Sequence, residues 1–150
     1  MKTLVKATYD DVNLILKLYD LRREEKLRQA RAWFVGSFNF ETLADMNTFC
    51  PPGSEHNAFF RMVTSYWDMA ASFVTSGVLN EQLFFQSNRE ILLVWERIRE
   101  LAKQLRAERK DSTLFANLEA VANSYTEYLK NESPGAYEYL SDWFKKIVPR

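Results

Sequence analysis

The chain has 150 residues, and its 20 Lys and Arg balance its 20 Asp and Glu to a formal net charge of zero. Proteins that bind nucleic acid duplexes usually carry a basic excess that neutralises phosphates, so this balance argues against such a partner. With only 4 Gly and 4 Pro, the chain is poorly suited to the many turns of an all-β fold. We therefore expect one helical domain over residues 1–150, large enough to form a core without disulfides or structural metals.

The cysteine content and the hydropathy pattern predict a cytoplasmic protein. Cys50 is the only cysteine, so an intramolecular disulfide is impossible, which fits a reducing compartment. Residues 1–6 lack the apolar run of a signal peptide. Nowhere does an apolar stretch approach the ~18 residues of a membrane-spanning helix.

Residues 9–35 are predicted to form one long first helix. Thr8 is a suitable N-cap, and the apolar stripe thins over residues 20–26. The first apolar residues lie at helical spacing on one face: Val12, Ile15, Leu16 and Tyr19. At 1.5 Å per residue this helix would be about 40 Å long, so we expect it to bend or to project beyond the bundle.

The next two predicted helices are separated by a Pro-Pro-Gly sequence, which cannot continue a helix. The first is short, covers residues 41–49 and takes Asn39 as its N-cap. Ser54 caps the second, over residues 55–76, whose broad apolar stripe is typical of a buried helix. Gly77 stands where a left-handed residue commonly ends a helix.

Residues 80–109 are predicted to contain a short helical turn and a long helix. Asn80 caps the turn over residues 81–85, and Ser87 with Glu90 has the spacing of a capping box. The long helix carries apolar residues on one side and places Arg97 among the charged residues of the other side.

Two further helices are predicted towards the C-terminus. Asp111 or Ser112 caps the first, and Ser133-Pro134 opens the second with proline at the first helical position. The inner face of the last helix contains four apolar residues: Tyr137, Leu140, Phe144 and Ile147. These elements predict an all-α antiparallel helical bundle of about five main helices plus one or two short ones.

Residues able to carry chemistry are few and scattered. His56 is the only histidine, and with Cys50 it supplies two ligands where a structural zinc site wants four, so no metal or cofactor is predicted. Cys50 would need a base such as His56 beside it to act as a nucleophile, and a half-buried thiol before a helix break is the simpler interpretation. Asp68 lies in the most apolar helix and is interpreted as pointing outward. Enzymatic activity is therefore the weakest functional hypothesis.

Basic residues are concentrated in two stretches, residues 22–31 and 97–110. Acids are interleaved in both, as on a solvated helix face, and we therefore expect neither to bind nucleic acid. If the two helices packed side by side, their arginines would form a modest surface for an anionic ligand.

Several short motifs occur in order between Ser65 and Arg99: Tyr66-Trp67-Asp68-Met69-Ala70, Gly77-Val78-Leu79, Leu83-Phe84-Phe85 and Trp95-Glu96. This order resembles a group of uncharacterised bacterial all-helical proteins with an aromatic-rich helix, two such turns and a Trp-Glu helix. In that group a preceding N-terminal helix is often attached to a membrane segment, which we do not expect here. The resemblance implies a helical fold and no particular activity.

The first functional hypothesis is a helical protein-interaction or scaffold module of the bacterial cytoplasm. Its partner or dimer surface would lie in the middle of the first helix, with apolar anchors inside a charged rim. This predicted surface consists of Leu21, Arg22, Arg23, Leu27 and Arg28.

The alternative hypothesis is a small-ligand-binding bundle with an aromatic pocket. Its lining would consist of Tyr66, Trp67, Phe84, Phe85 and Trp95. A packed corner of the core, with Trp67 near Trp95, is the favoured interpretation of the same residues.

Overall fold

A computed structural model of the chain describes residues 5–147, and for Ile147 it describes the backbone only. Over this range the chain forms eight helices and no strand, which confirms the predicted all-helical fold. The orientation predicted for Ile147 and most of the segment considered for a signal peptide lie outside the described residues. The helices are α1 (Tyr9–Arg22), α2 (Glu25–Ser37), α3 (Leu43–Phe49), α4 (Glu55–Thr75), α5 (Glu81–Ser87), α6 (Glu90–Arg109), α7 (Ala116–Glu132) and α8 (Pro134–Ile147).

Helix α4 lies at the centre of the bundle and packs most extensively against α2 and α7, while α6 packs against α7. Trp67 in the middle of α4 is completely buried, as are Val63 and Ala70 one turn to either side. This 3.6-residue periodicity is what the broad apolar stripe of the sequence predicts. Helices α1 and α8 lie at the margins of this core.

The predicted single first helix is wrong, because the chain bends between Arg22 and Glu25 and forms α1 and α2. The Glu24 carboxylate accepts the backbone N–H groups of Lys26 (3.0 Å) and Leu27 (2.9 Å) and so caps a new helix. Arg31 of α2 donates to the carbonyl oxygen of Arg22 at 3.2 Å and satisfies one of the last carbonyl groups of α1.

Three predicted N-caps are confirmed by side-chain hydrogen bonds to the first turn of their helices. The side-chain oxygen accepts a backbone N–H in each case: Thr8 from Asp11, Ser54 from Asn57, and Asn80 from Leu83. Gly77 adopts the predicted left-handed conformation with φ of 81°, and α8 opens at Pro134 as predicted.

Other predicted helix starts differ from the structure. Thr42 instead of Asn39 caps α3. No capping box opens α6, because α5 continues through Ser87 and the N-cap residue is Arg89. Helix α7 begins later than predicted, since Asp111 accepts the backbone N–H of Thr113 within a loop and leaves Phe115 as the N-cap.

Candidate functional site

Helix α1 presents a row of apolar side chains to solvent. The exposed fraction is 87% for Tyr9, 43% for Val12, 55% for Leu16 and 49% for Tyr19. These residues are three, four and three positions apart, which is the a–d spacing of a coiled-coil seam and places them on one side of the helix. We call this row the α1 stripe. This exposed apolar row is therefore the candidate interaction site of the structure.

Val12, Leu16 and Tyr19, which the sequence places on one helical face, are exposed and do not form the buried side of α1. The buried side of α1 instead consists of Asp11, Leu18 and Arg22. Apolar residues occur on both sides of α1, so hydrophobic periodicity alone could not identify the inner side. Two polar residues decide the orientation, because both form hydrogen bonds to other parts of the fold.

Asp11 ties the beginning of α1 to the beginning of α5. Its carboxylate accepts the backbone N–H of Thr8 at 2.7 Å and that of Asn80 at 2.8 Å. The hydrogen bond from Thr8, followed by that from Asn80, holds the pKa of Asp11 below its ordinary value. The Asn80 side chain also donates to the carbonyl oxygen of Val5 at 2.8 Å. Val5, which accepts this hydrogen bond, and Val78, two residues before Asn80, are both exposed apolar residues near the start of α1.

Arg22 lies in the interior at the end of α1. Its guanidinium donates to the Tyr66 hydroxyl oxygen at 3.0 Å and to the side-chain oxygen of Asn88, and it lies 5.4 Å from the centre of the Trp67 ring. The Tyr66 hydroxyl in turn donates to the carbonyl oxygen of Leu18 at 2.9 Å. Hydrogen bonds and an aromatic face thus compensate a buried cation, as burial of charge requires.

The interaction surface predicted from the sequence is divided by the fold. Leu21, Arg23 and Arg28 are exposed, whereas Leu27 is 8% exposed and Arg22 is 7% exposed. Leu27 packs in the core after the bend, and Arg22 is held by Tyr66 and Asn88. Both residues are therefore removed from the candidate surface, and Leu21 lies on a different side of α1 from the stripe.

Several arginines of the two basic stretches form contacts within the fold and do not belong to a solvated helix face. Arg31 forms a bidentate ion pair with Glu90 across α2 and α6. Arg97, predicted on the polar side of its helix, is 5% exposed and donates to the carbonyl oxygens of Phe38 (2.8 Å) and Phe144 (2.7 Å). Burial lowers the pKa of Arg97.

Four of the five residues of the predicted aromatic pocket belong to the core. Tyr66, Trp67, Phe84 and Phe85 are each at most 6% exposed. Trp67 packs edge-on against Tyr66, with ring centres 5.0 Å apart. The half-buried Trp95 faces the Arg106 guanidinium and, with residues of α7 and α8, lines a cavity of about 260 Å³. Because these rings pack tightly against one another, a ligand site would have to lie elsewhere in the molecule.

Cys50 and His56 form no catalytic pair among the described residues. Cys50 is completely buried, and desolvation raises the pKa of its thiol, which opposes formation of the nucleophilic thiolate. His56 is exposed and stacks on Trp33, with ring centres 5.0 Å apart. Across residues 5–147, no three His, Cys, Asp or Glu side chains are grouped so that they could hold a metal ion.

Asp68 is half-buried, and its carboxylate accepts the backbone N–H of Leu118 at 3.0 Å. Leu118 is the third residue of α7, whose own N-cap Phe115 provides no side-chain hydrogen bond. Asp68 therefore caps α7 from a neighbouring helix, and its negative charge lies at the positive end of the helix dipole. This role depends on tertiary structure, so the sequence pattern gave no signal for it.

The bundle and its exposed α1 stripe define a small all-helical domain. The chain belongs to the family described as Domain of unknown function (DUF4760), whose model matches residues 7–125. This match confirms the resemblance to a helical family without an assigned activity. No curated protein and no solved structure matches the chain significantly. Among the described helices, none is both long and apolar enough to cross a membrane.

Proposed function

We propose that this protein is an interaction module of the bacterial cytoplasm and that its α1 stripe binds the α1 stripe of a second copy. The observation that carries the proposal is the exposure of Tyr9, Val12, Leu16 and Tyr19 along one side of a marginal helix. Covering these side chains removes apolar surface from water, which favours association.

The order of residues in the stripe suits a two-fold antiparallel pairing. An axis level with Leu14 places Val12 opposite Leu16 of the second copy, and Tyr9 opposite Tyr19 of the second copy. Each apolar side chain then meets another apolar side chain, and the same patch is used on both subunits, as a two-fold interface requires.

Charges at the ends of α1 favour the antiparallel direction. In a parallel pair Asp20 would face Asp20 and Arg23 would face Arg23 of the second copy, and like charges repel. In the antiparallel pair Asp20 lies level with Thr8 of the second copy, which caps the N-terminal end of that helix. A carboxylate is stabilised there by the positive end of the helix dipole.

The length of α1 predicts a weak dimer. Its 14 residues span about 21 Å, so the stripe with Val5 and Val78 offers less area than the roughly 800 Å² per partner of a stable interface. We therefore expect a reversible, concentration-dependent association.

Analytical ultracentrifugation of Leu16→Glu and Leu21→Glu tests the proposal. The two leucines belong to the same helix and have similar exposed fractions of 55% and 49%. They are separated by about 140° around the helix, so only Leu16 lies in the stripe. Glu is a good helix former and places a charge at each position. From about 10 µM to about 1 mM, we expect the wild type and Leu21→Glu to dimerise and Leu16→Glu to remain monomeric.

Two results would contradict the proposal. A wild-type chain that stays monomeric at the highest concentration refutes self-association. Equal loss of dimer in both variants would mean that the interface is not the α1 stripe. Circular dichroism of each variant checks that the helices are intact, so unfolding is distinguished from dissociation.

A further inference from the structure

An open groove of about 730 Å³ lies between α4, the end of α6 and the loop that leads into α7. This volume is within the range of small-molecule sites. The groove is on a part of the molecule built from helices other than α1. A ligand there would therefore be independent of the proposed α1 interface.

The floor of the groove is apolar and buried. Phe60, Leu105 and Phe115 line it, and their exposed fractions are 5%, 6% and 9%. The half-buried side chains of Met62 and Leu114 continue the apolar lining. Such a floor favours an apolar chain or ring, because the ligand displaces water from apolar surface.

The two carboxylates that line the groove already accept hydrogen bonds from the protein. Asp68 accepts the backbone N–H of Leu118 at 3.0 Å. Asp111 accepts the backbone N–H of Thr113 at 2.9 Å and its hydroxyl at 2.6 Å. The hydroxyl contact, followed by the backbone contact, keeps the pKa of Asp111 below its ordinary value. One oxygen of each carboxylate is thus used in capping a helix or closing a turn.

The two arginines of the lining have donors to spare. Arg61 is exposed and uses its Nε to donate to Asn57 on its own helix at 3.2 Å. Arg109 is exposed and donates no hydrogen bond within the described part of the chain, and its positive charge helps to lower the pKa of Asp111. Guanidinium groups bind carboxylates through paired N–H donors, and these two groups face the same groove.

We propose that this groove binds a small amphipathic carboxylate, with its apolar chain on Phe60, Leu105 and Phe115. The carboxylate group of the ligand is held by Arg61 and Arg109 at the rim. The ligand class follows from three features of the groove. Its floor is apolar, its carboxylates already accept hydrogen bonds from the protein, and its two arginines have N–H donors that the fold does not use. It differs from the aromatic pocket predicted from the sequence in both position and lining.

Methyl NMR of methionine tests the groove directly, with decanoate as the probe and uncharged decanol as its matched control. Met62 lines the groove, while Met46 is buried in α3 and Met69 lies outside the lining. In protein labelled at methionine methyl carbons, decanoate below its micellar concentration is expected to shift the Met62 signal saturably. The Met46 and Met69 signals are expected to stay in place, and decanol is expected to bind several-fold more weakly.

Arginine variants separate the charge from the apolar floor. Arg61→Gln and Arg109→Gln are each expected to weaken decanoate binding about fivefold and to leave decanol binding unchanged. Arg28→Gln removes an exposed arginine on α2 and is expected to change neither. Ser65→Trp, at an exposed position of the lining, fills the groove and is expected to abolish the Met62 response.

Three outcomes would overturn the proposal. They are no Met62 shift with decanoate, equal shifts of the Met46, Met62 and Met69 signals, and equal affinity for decanoate and decanol. The first removes the site, the second indicates non-specific binding, and the third shows that the arginines contribute nothing.

Discussion

The Nη1 atom of Arg22 lies 3.0 Å from the hydroxyl oxygen of Tyr66, where both side chains are less than 10% exposed. The contact joins the end of α1 to the middle of α4, at the point where the chain bends towards α2. Desolvation raises the pKa of Tyr66 and outweighs the nearby positive charge of Arg22. The hydroxyl therefore stays protonated and can donate to Leu18 while it accepts from Arg22.

Truncating Arg22 should destabilise the protein more than truncating its exposed neighbour. Arg22→Ala leaves the buried oxygens of Tyr66 and Asn88 without their donor, and we expect a loss of about 2 kcal/mol in the free energy of unfolding. Arg23→Ala should change it by less than about 0.5 kcal/mol, since that side chain is exposed. Urea denaturation followed by circular dichroism measures both. Equal losses would mean that the buried contacts contribute little.

The hydrogen bonds of Asp11 predict an acid-dependent loss of stability. Because the pKa of Asp11 is lowered in the folded state, its contribution is complete above the unfolded value of 3.8 and is lost as pH falls through the folded value. Asp11→Asn should therefore be less stable than wild type near neutral pH, and the difference should shrink below about pH 4.

Urea midpoints measured at intervals from about pH 7 to pH 2 test this linkage. Asp10→Asn removes a neighbouring exposed carboxylate and controls for the loss of one negative charge at the start of α1. A difference between wild type and Asp11→Asn that stays constant over the whole range would show that the charge of Asp11 is not responsible.

The sequence predicted the helices well and their tertiary contacts poorly, for identifiable reasons. Ser54, Asn80 and Gly77 act within one turn of the chain, so local patterns were sufficient to place them. Arg22 and Arg97 looked like surface residues, because their acceptors lie more than 40 positions away in sequence. Such pairings are set by packing, which periodicity does not encode.

Removing the carboxylate of Asp68 should destabilise α7 from its N-terminal end. Asp68→Ala deletes the acceptor for the backbone N–H of Leu118, and loss of a helix cap costs about 1 kcal/mol. Asp68→Asn keeps an oxygen acceptor and should lose less. Hydrogen exchange at the Leu118 amide should accelerate most in the alanine variant. Unchanged exchange there would mean that another group caps α7.

Two residues with left-handed backbones should respond to glycine in opposite directions. Lys110 (φ 54°) is exposed and ends α6, whereas Phe115 (φ 58°) is 9% exposed and precedes α7. A left-handed conformation costs a residue with Cβ roughly 1–2 kcal/mol and costs glycine almost none, though glycine loses more entropy on folding. Lys110→Gly should therefore stabilise the protein by about 0.5–1 kcal/mol.

Phe115→Gly removes the same backbone strain but also removes a buried ring. We expect a net loss of about 2–4 kcal/mol in the free energy of unfolding. Thermal and urea denaturation of the two variants measure both signs. Stabilisation by both substitutions would mean that the Phe115 ring contributes less to the core than its burial indicates. Destabilisation by both would instead mean that the Lys110 side chain contributes more than its exposed position suggests. The left-handed backbone at that residue by itself favours glycine.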